Sequence, residues 1–250
     1  MAKKYYVVWA GRETGIFTSW DYTKKQVDKF PQAKYKSFAT EAEAKAAFAK
    51  APSYSTATKK PSTSKTAAKA SLDIDLSRCD VSIFTDGGCE PNPGKAGSGV
   101  AVYINAKLAE LYYGLYNPNG TNNSAELNAL HQALLIAEKA LKQGLTVQIL
   151  SDSQYSLNCI TNWAYGWKAK GWKRKVAGDI KNLDIIQQSH ALYDAIKDKL
   201  AIQHVAAHVG IEGNELADRM SIYAIDQQNS AFCRYPEPIV LSDILSLRAG

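Results

Sequence analysis

The sequence predicts an α/β body carried behind a small α+β module, and three observations point there. The first fifty residues read as a hairpin, a helix, a strand and a helix in quick succession. Residues 51–70 then hold four lysines, no acid and almost no bulky apolar side chain. From residue 77 onward, three strand-like runs are followed by alternating helical and extended stretches.

The bulk numbers fit that division. A chain of 250 residues suffices for one large domain or two unequal ones, and an apolar content of 46% is ordinary for a globular protein. The net charge of +6 is unevenly spread: residues 1–75 hold 14 Lys/Arg against 7 Asp/Glu, and the remainder 16 against 17. A basic front on a near-neutral body suits an acidic polymer, nucleic acid first, with simple solubility as the plain alternative. Cys79, Cys89, Cys159 and Cys233 show neither metal-ligand spacing nor a disulfide framework, which fits a reducing, cytoplasmic setting. Met1-Ala-Lys-Lys leads straight into a strand-like run, so no signal peptide is expected. No apolar run approaches the ~18 residues of a membrane span.

In the front module, Lys4–Ala10 and Ile16–Trp20 are rich in β-formers and flank the turn Gly11-Arg-Glu-Thr-Gly15. Asp21 or Thr23 is placed to cap a short helix through Val27 and Phe30, stopped by Pro31. Tyr35–Phe38 is a third extended piece, and Thr40-Glu-Ala-Glu43 opens a helix with a capping-box pattern. So small a module buries little, and some aromatics must be structural: Tyr6, Phe17, Phe38 and Phe48 are expected inside. Trp or Tyr flanked by Lys suits stacking on sugar or base. Residues 51–76 are then a flexible basic linker, either a tether that raises local concentration on nucleic acid or a plain solubilising spacer.

The body opens on Val81-Ser-Ile-Phe-Thr-Asp86-Gly-Gly-Cys89, a strand ending in a carboxylate and two glycines. A buried carboxylate needs a partner, and glycine admits another backbone or a phosphate, so the stretch reads as a metal or phosphate site or as a tight Asp-Gly turn. Glu90–Gly99 is expected to be a loop, and Val100–Ile104 and Leu108–Tyr116 complete three antiparallel strands. Thr121-Asn-Asn-Ser124 caps a helix whose stripe is Leu127, Leu130, Leu134, Ala137 and Leu141, with Gly144 at its end. Glu126 falls in its expected first turn, where the helix dipole alone favours an acid. Leu145–Leu150 is a buried-type strand with Asp152 just past it, a second aspartate at a strand end. Trp163, Trp167 and Trp172 lie among Lys168, Lys170, Lys173, Arg174 and Lys175, which suits a nucleic-acid handle or the solvated face of a helix. A helix over 183–200, a strand over 201–207, the glycine-rich loop His208–Asn214 and a last helix carrying Asp218 follow. Four acids on separate elements are what a two-metal site requires: hard oxygen ligands converging from several directions. Residues 227–250 form a tail that either packs on the body or frames a partner contact.

Two resemblances sharpen this reading. Gly11-Arg-x-Thr-Gly-Ile-Phe17, Trp20, Phe30-Pro31 and Tyr35-Lys-Ser-Phe-Ala-Thr-Glu41 resemble the hybrid-binding domain found ahead of many type 1 ribonucleases H, and the related caulimovirus viroplasmin module. The resemblance implies that Trp20 and Tyr35 face a DNA strand and Lys36 its backbone, with Ser37 where a second lysine is usual. Thr85-Asp-Gly-Gly88 with Asn92-Pro-Gly94, Thr121-Asn-Asn-Ser-Ala-Glu126, Ser151-Asp-Ser-Gln-Tyr155 and His208-x-Gly-x-x-Gly-Asn-Glu-Leu-Ala-Asp218 resemble type 1 ribonuclease H motif by motif.

The second resemblance implies a mixed sheet flanked by helices and an endoribonuclease that hydrolyses the RNA strand of RNA–DNA hybrids. It implies two Mg²⁺ ions, with Mn²⁺ as the alternative, on Asp86, Glu126, Asp152 and Asp218, and 5′-phosphate and 3′-hydroxyl ends. His208 matches a loop histidine that assists proton transfer or product departure. Asn92, Asn122 and Asn123 match readers of the minor groove, Trp163 and Trp167 a basic protrusion along the DNA strand, and Thr121 and Asn182 a phosphate pocket. The expected organisation is a hybrid-binding domain over 1–50, a linker over 51–76, a catalytic domain over 77–226 and a tail over 227–250. The front domain is expected to raise affinity and processivity and to bind duplex RNA weakly; neither a small-molecule cofactor nor a membrane is expected. The rivals are a hybrid-binding protein with an idle nuclease site, and another nuclease of the same superfamily such as an integrase or transposase.

Overall fold

The computed structural model describes residues 4–28, 30, 34–38, 40–49, 74–174, 178–207 and 210–250. The chain divides into two units, residues 1–68 and 69–250.

The smaller unit contains β1 (Tyr5–Ala10), β2 (Gly15–Phe17), α1 (Trp20–Val27), β3 (Lys34–Phe38) and α2 (Glu41–Ala49). Its sheet has the order β2-β1-β3 and is antiparallel throughout. The expected second strand stops early, because Trp20 begins α1. Ser19 rather than Asp21 or Thr23 is the cap, its Oγ accepting from the Tyr22 backbone at 3.5 Å. The Thr23 hydroxyl donates back to the Ser19 carbonyl at 2.7 Å instead. α1 ends at Val27, short of Phe30, and Pro31 lies outside the described residues. The capping box of α2 forms in both directions: Glu43 N donates to Thr40 Oγ1 at 3.3 Å, and Thr40 N to Glu43 Oε2 at 3.2 Å. The interior is Val7, Val8, Thr23, Val27 and Ala44, whereas Phe48, expected inside, is exposed.

The larger unit starts inside the stretch read as linker. Ile74 and Leu76 pack against its core, and Asp75 caps a 3₁₀ turn over Leu76–Arg78; residues 51–73 lie outside the described residues. Then come β4 (Val81–Glu90), β5 (Gly94–Ile104), β6 (Lys107–Gly120), α3 (Asn122–Lys142), β7 (Val147–Ser151) and α4 (Gln154–Asn158). A π-helical turn over Cys159–Trp163 leads into α5 (Ala164–Lys168), α6 (Leu183–Ile196), β8 (Leu200–His204), α7 (Glu212–Gln227), β9 (Cys233–Arg234) and α8 (Leu241–Leu245). β5 begins at Gly94, so the loop expected over 90–99 shrinks to Pro91-Asn92-Pro93.

The sheet runs β8-β7-β4-β5-β6-β9, with β8, β7 and β4 parallel and the rest antiparallel. Strand alternation sends its two faces to different helices. Val81, Ile83, Val100, Val102, Val147 and Ile149 pack with the α3 stripe of Leu127, Leu130, Leu134 and Ala137. Phe84, Ala101, Tyr103, Leu111 and Leu150 pack with Leu216, Ala217 and Met220 of α7. Helices therefore cover both faces of a mixed sheet.

The tail packs on the body. β9 pairs with β6 at Tyr112↔Arg234 and Tyr113↔Cys233, and Tyr235, Ile239, Ile244 and Leu247 join the α7 side of the core. Among the described residues no helix is long and apolar enough to cross a membrane.

The helices meet the sheet where side chains are missing. A Cβ on Gly87 would lie 2.2 Å from Glu126 N, and one on Gly99 would lie 2.1 Å from the Ala217 carbonyl oxygen. Leu130→Ala should cost about 2–5 kcal/mol in urea unfolding. Gly99→Val should cost upwards of about 3 kcal/mol, because the α7 backbone has to retreat.

Candidate active site

The two glycine contacts bracket Asp86. Asp86 pairs with Gly99 across β4 and β5, on the face that α7 covers; Gly87 pairs with Ser98 on the other face. There Ser98 Oγ donates to the Ala125 carbonyl at 2.8 Å, so the α3 backbone is fastened one residue before Glu126. Thr85 pairs with Ser151 in the parallel β4–β7 ladder. Asp86 and Asp152 therefore follow at the same level on strands about 4.8 Å apart. α3 starts as its sequence suggests: Thr121 Oγ1 accepts from Ser124 N at 3.1 Å, and Ser124 Oγ accepts from Thr121 N at 2.9 Å. Glu126 is the fifth helical residue, so it lies in the second turn rather than the first. The dipole is then a weak reason for an acid there.

Each carboxylate is held by a donor. Asp86 Oδ1 accepts from the Gly87 backbone at 2.7 Å. Glu126 Oε1 accepts from Asn122 Nδ2 at 2.8 Å, and its Oε2 accepts a short hydrogen bond from Ser153 Oγ. Asp152 Oδ2 accepts from Asn214 Nδ2 at 2.9 Å, while its backbone oxygen lies 3.0 Å from His204 Nε2. Asp218 is 4% exposed; Arg219 Nη1 donates to its Oδ2 at 2.5 Å, and the Gly250 backbone donates to Oδ1 at 3.1 Å and Oδ2 at 3.3 Å. Burial pushes the Asp86 carboxyl well above the usual range, and the negative charges of Asp152, Asp218 and Glu126 push the same way against the Gly87 hydrogen bond. Burial also raises Glu126; the Ser153 hydrogen bond opposes that, and Asp152 adds to it.

The donor set suits a hard divalent cation: carboxylate oxygens from the middle of β4, which runs on past the strand end expected at Asp86, from the residue after β7 and from two helices, close enough to raise one another. The two residues that hold Asp152 and Asp218 each keep a buried polar atom without a partner, Asn214 Oδ1 and Arg219 Nε. Among the described residues, however, no three His, Cys, Asp or Glu side chains close around a single point. Their oxygens face the donors just named.

The neighbouring residues form two further groups. Asn92 Oδ1 accepts from Asn122 N at 3.3 Å, which links the Pro91–Pro93 loop through Asn122 to Glu126. Trp163 and Trp167 lie 5.9 Å apart, and Tyr155 is 6.0 Å from Trp163. Asn123, Tyr155, both tryptophans, Arg174 and Lys181 line one cavity, and Lys170 and Lys173 join the tryptophans in the next. The π-helical turn, a device common beside functional sites, delivers Trp163. Asn182 opens α6 in the left-handed region (φ 58°). Thr121 is taken up as the cap of α3. His208 and Lys175 lie outside the described residues.

In the smaller unit the structure gathers exposed Trp20 and Tyr35, 5.9 Å apart, with Tyr6 5.4 Å from Trp20. Lys36 sits over Phe38, on the opposite face of β3 from Tyr35. Sequence reasoning passed over Ser153, Asn214, Arg219 and Gly250 as carboxylate partners. Asn214 stands four residues before Asp218 on the same helix yet serves Asp152, 62 residues away, so helical spacing points to the wrong partner.

Acids from a mixed sheet and its two covering helices, beside a tryptophan-lysine surface, define an α/β nuclease. The chain belongs to the ribonuclease H family: the RNase H family model matches residues 78–225, more than half of it. The model of the ribonuclease H1 N-terminal domain matches residues 4–48. The chain is 37% identical over 147 residues to a ribonuclease H from Polaromonas sp., covering 59% of this chain and 89% of that one. It is 36% identical over 150 residues to one from Herminiimonas arsenicoxydans, covering 60% and 97%. The solved structure of LC9-RNase H1, a type 1 RNase H with the type 2 active-site motif, shares the fold with a TM-score of 0.50 at 23% identity, over 62% of this chain and 77% of that one. The protein is thus a ribonuclease H, an enzyme that hydrolyses RNA in RNA–DNA hybrids.

The raised Asp86 makes metal-free stability depend on pH in a stated direction. The native state keeps a proton that the unfolded chain loses near pH 3.8, so stability falls as pH rises from there through the raised native value. In chelator, Asp86→Asn should be more stable than wild type at neutral pH, and the gap should close below pH 3.8. Denaturant unfolding across pH checks this.

Proposed function

We propose that Asp86, Glu126, Asp152 and Asp218 hold two Mg²⁺ ions, with Mn²⁺ as an alternative, and that RNA is cut to leave 5′-phosphate and 3′-hydroxyl ends. The observation that carries this reading is the mutual repulsion of four acids brought together from four elements, which a fold without cations gains nothing by building. The chemistry such ions supply when bound is activation of the attacking water and stabilisation of the leaving 3′ oxygen. The carboxylates provide the negative charge that holds cations, and Asn214 and Ser153 keep Asp152 and Glu126 oriented. Water adds to the scissile phosphorus, the bond to the 3′ oxygen breaks, and a proton passes to that oxygen; His208 assists this transfer or product departure.

Asn92, Asn122 and Asn123 read the hybrid's minor groove through 2′-hydroxyls and base edges, with amides able both to donate and to accept. Trp163 and Trp167, with Lys170, Lys173 and Arg174, follow the DNA strand, and Thr121 and Asn182 take one of its phosphates. Contacts of this kind carry little base information, so sequence preference is low. Residues 1–50 form a hybrid-binding domain that stacks Trp20 and Tyr35 on the DNA strand, with Lys36 on its backbone, and binds duplex RNA weakly. The stretch from residue 51 up to Ile74 acts as tether, the catalytic domain takes in Ile74 onward to residue 226, and 227–250 form the tail docked on it. The free thiols Cys79, Cys89, Cys159 and Cys233 suit a cytoplasmic setting.

With a labelled hybrid and Mg²⁺, wild type should cut only the RNA strand, and Asp152→Asn should lower kcat at least about a hundredfold while still binding hybrid. Hybrid bound tightly by wild type without any cutting would leave the idle-site reading standing. Trp20→Ala and Tyr35→Ala should each weaken hybrid binding by about 1–3 kcal/mol and shorten processive runs, with little change in single-turnover cutting at saturation.

A further inference from the structure

The tail returns to the carboxylates along a defined path. After α8 docks through Ile244, which is 2% exposed, Arg248 bridges two acids on two elements. Its Nη2 donates to Asp226 Oδ1 on α7 at 2.7 Å, and its Nη1 donates to Glu90 Oε2 at the end of β4. Two residues further on, the Gly250 backbone N–H is shared by both oxygens of Asp218. Asp226 and Asp218 are eight residues apart on one helix, about 12 Å. Two extended residues span about 7 Å, and the long Arg248 side chain covers the rest. The approach is close: a Cβ on residue 250 would lie 2.8 Å from Asp218 Oδ1 and 3.3 Å from Ile222 Cδ1, so a larger side chain there pushes the Asp218 carboxylate and the tail apart.

We infer that residues 246–250 are a latch that competes with divalent cations for Asp218. The inference rests on the reading of Asp218 as a metal ligand. Arg219 on Oδ2 and Gly250 on both oxygens already engage the carboxylate, which is closed to solvent, so a cation reaching it has to displace at least the Gly250 donor. The second arm of the latch reaches the substrate side, because Glu90 stands two residues before Asn92 in the loop assigned to the minor groove. Loading the site with metal and hybrid then requires the tail to let go at Asp218 and loosens it at Glu90. The latch gives Asp218 a neutral donor, and Arg248 ties the tail down on Asp226 and Glu90 outside the cluster, so it stabilises the metal-free enzyme and raises the metal concentration needed to open it.

The test uses the full chain and Mg²⁺ alone, without nucleic acid, read by calorimetry and by the ¹⁵N–¹H resonance of Gly250. Gly250→Val leaves the charge unchanged, and it should bind Mg²⁺ roughly tenfold tighter, the weight of one charge-assisted hydrogen bond. Arg248→Gln should shift affinity in the same direction, and Mg²⁺ should move the Gly250 resonance of wild type. Asp218→Asn separates the two readings. If it binds Mg²⁺ as wild type does, Asp218 is not a ligand and the latch falls with that assignment. If it binds more weakly while Gly250→Val and Arg248→Gln match wild type and the Gly250 resonance stays put, the latch alone is overturned.

Discussion

Everything at the carboxylate site depends on how closely two helices approach one pair of strands. Glycine at 87 lets the α3 backbone touch β4, and glycine at 99 lets α7 touch β5. Asp86 stands between these contacts, directly after Thr85 and across the ladder from Gly99. With any side chain at either glycine, the helix carrying Glu126 or Asp218 would stand off by the thickness of a methyl group or more, and the acids would separate. Local approach, rather than a feature of any single acid, therefore creates the charge density.

That density has to be tolerated before it is useful. Like charges in a half-buried site disfavour the folded state, and the fold offsets part of this with oriented donors. The Gly87 N–H, the Ser153 hydroxyl, the amides of Asn122 and Asn214, the Arg219 guanidinium and the Gly250 N–H each serve one carboxylate. Three of the six lie within four residues of the acid they serve, and Ser153, Asn214 and Gly250 reach theirs from 27, 62 and 32 residues away. Packing therefore sets the positions of the acids, and hydrogen bonds from near and far along the chain set their orientations.

The four acids, the three antiparallel strands and the long α3 stripe were legible in the sequence, because periodicity and caps are local signals and the motifs that resemble ribonuclease H stand in order. What was missed was mostly non-local or turned on competition between neighbours. Ser19 outcompeted Asp21 and Thr23 as a cap because only it precedes the turn that Trp20 opens, which also moved Trp20 from strand to helix. The expected loop after Glu90 became strand because β6 is long enough to pair back to Gly94. The hold of Ser153 on Glu126 crosses 27 residues, and that of Gly250 on Asp218 crosses 32. No pattern along the chain announces such pairs. The docking of the tail was left open for the same reason: Ile244 looks like any apolar residue until the core it fills is seen.

The short strand β9 has a consequence for how molecules of this protein meet each other. It pairs with β6, a strand of fourteen residues, at Tyr112 and Tyr113, and the backbone on either side extends the cover, Tyr235 N donating to the Leu111 carbonyl at 2.7 Å and Tyr116 N to the Asn229 carbonyl at 2.9 Å. An unpaired strand rim is a template on which another chain can add itself. Here the rest of the rim carries Lys107 and Glu110 on one side of the covered pair and Asn117-Pro118-Asn119 on the other, where proline lacks the N–H that a newcomer would need. Irregular register along the β5–β6 ladder twists the strand further out of line. The two tyrosines that β9 shields lie at the centre of that rim, so the tail leaves little of its apolar stretch open for another strand to add to.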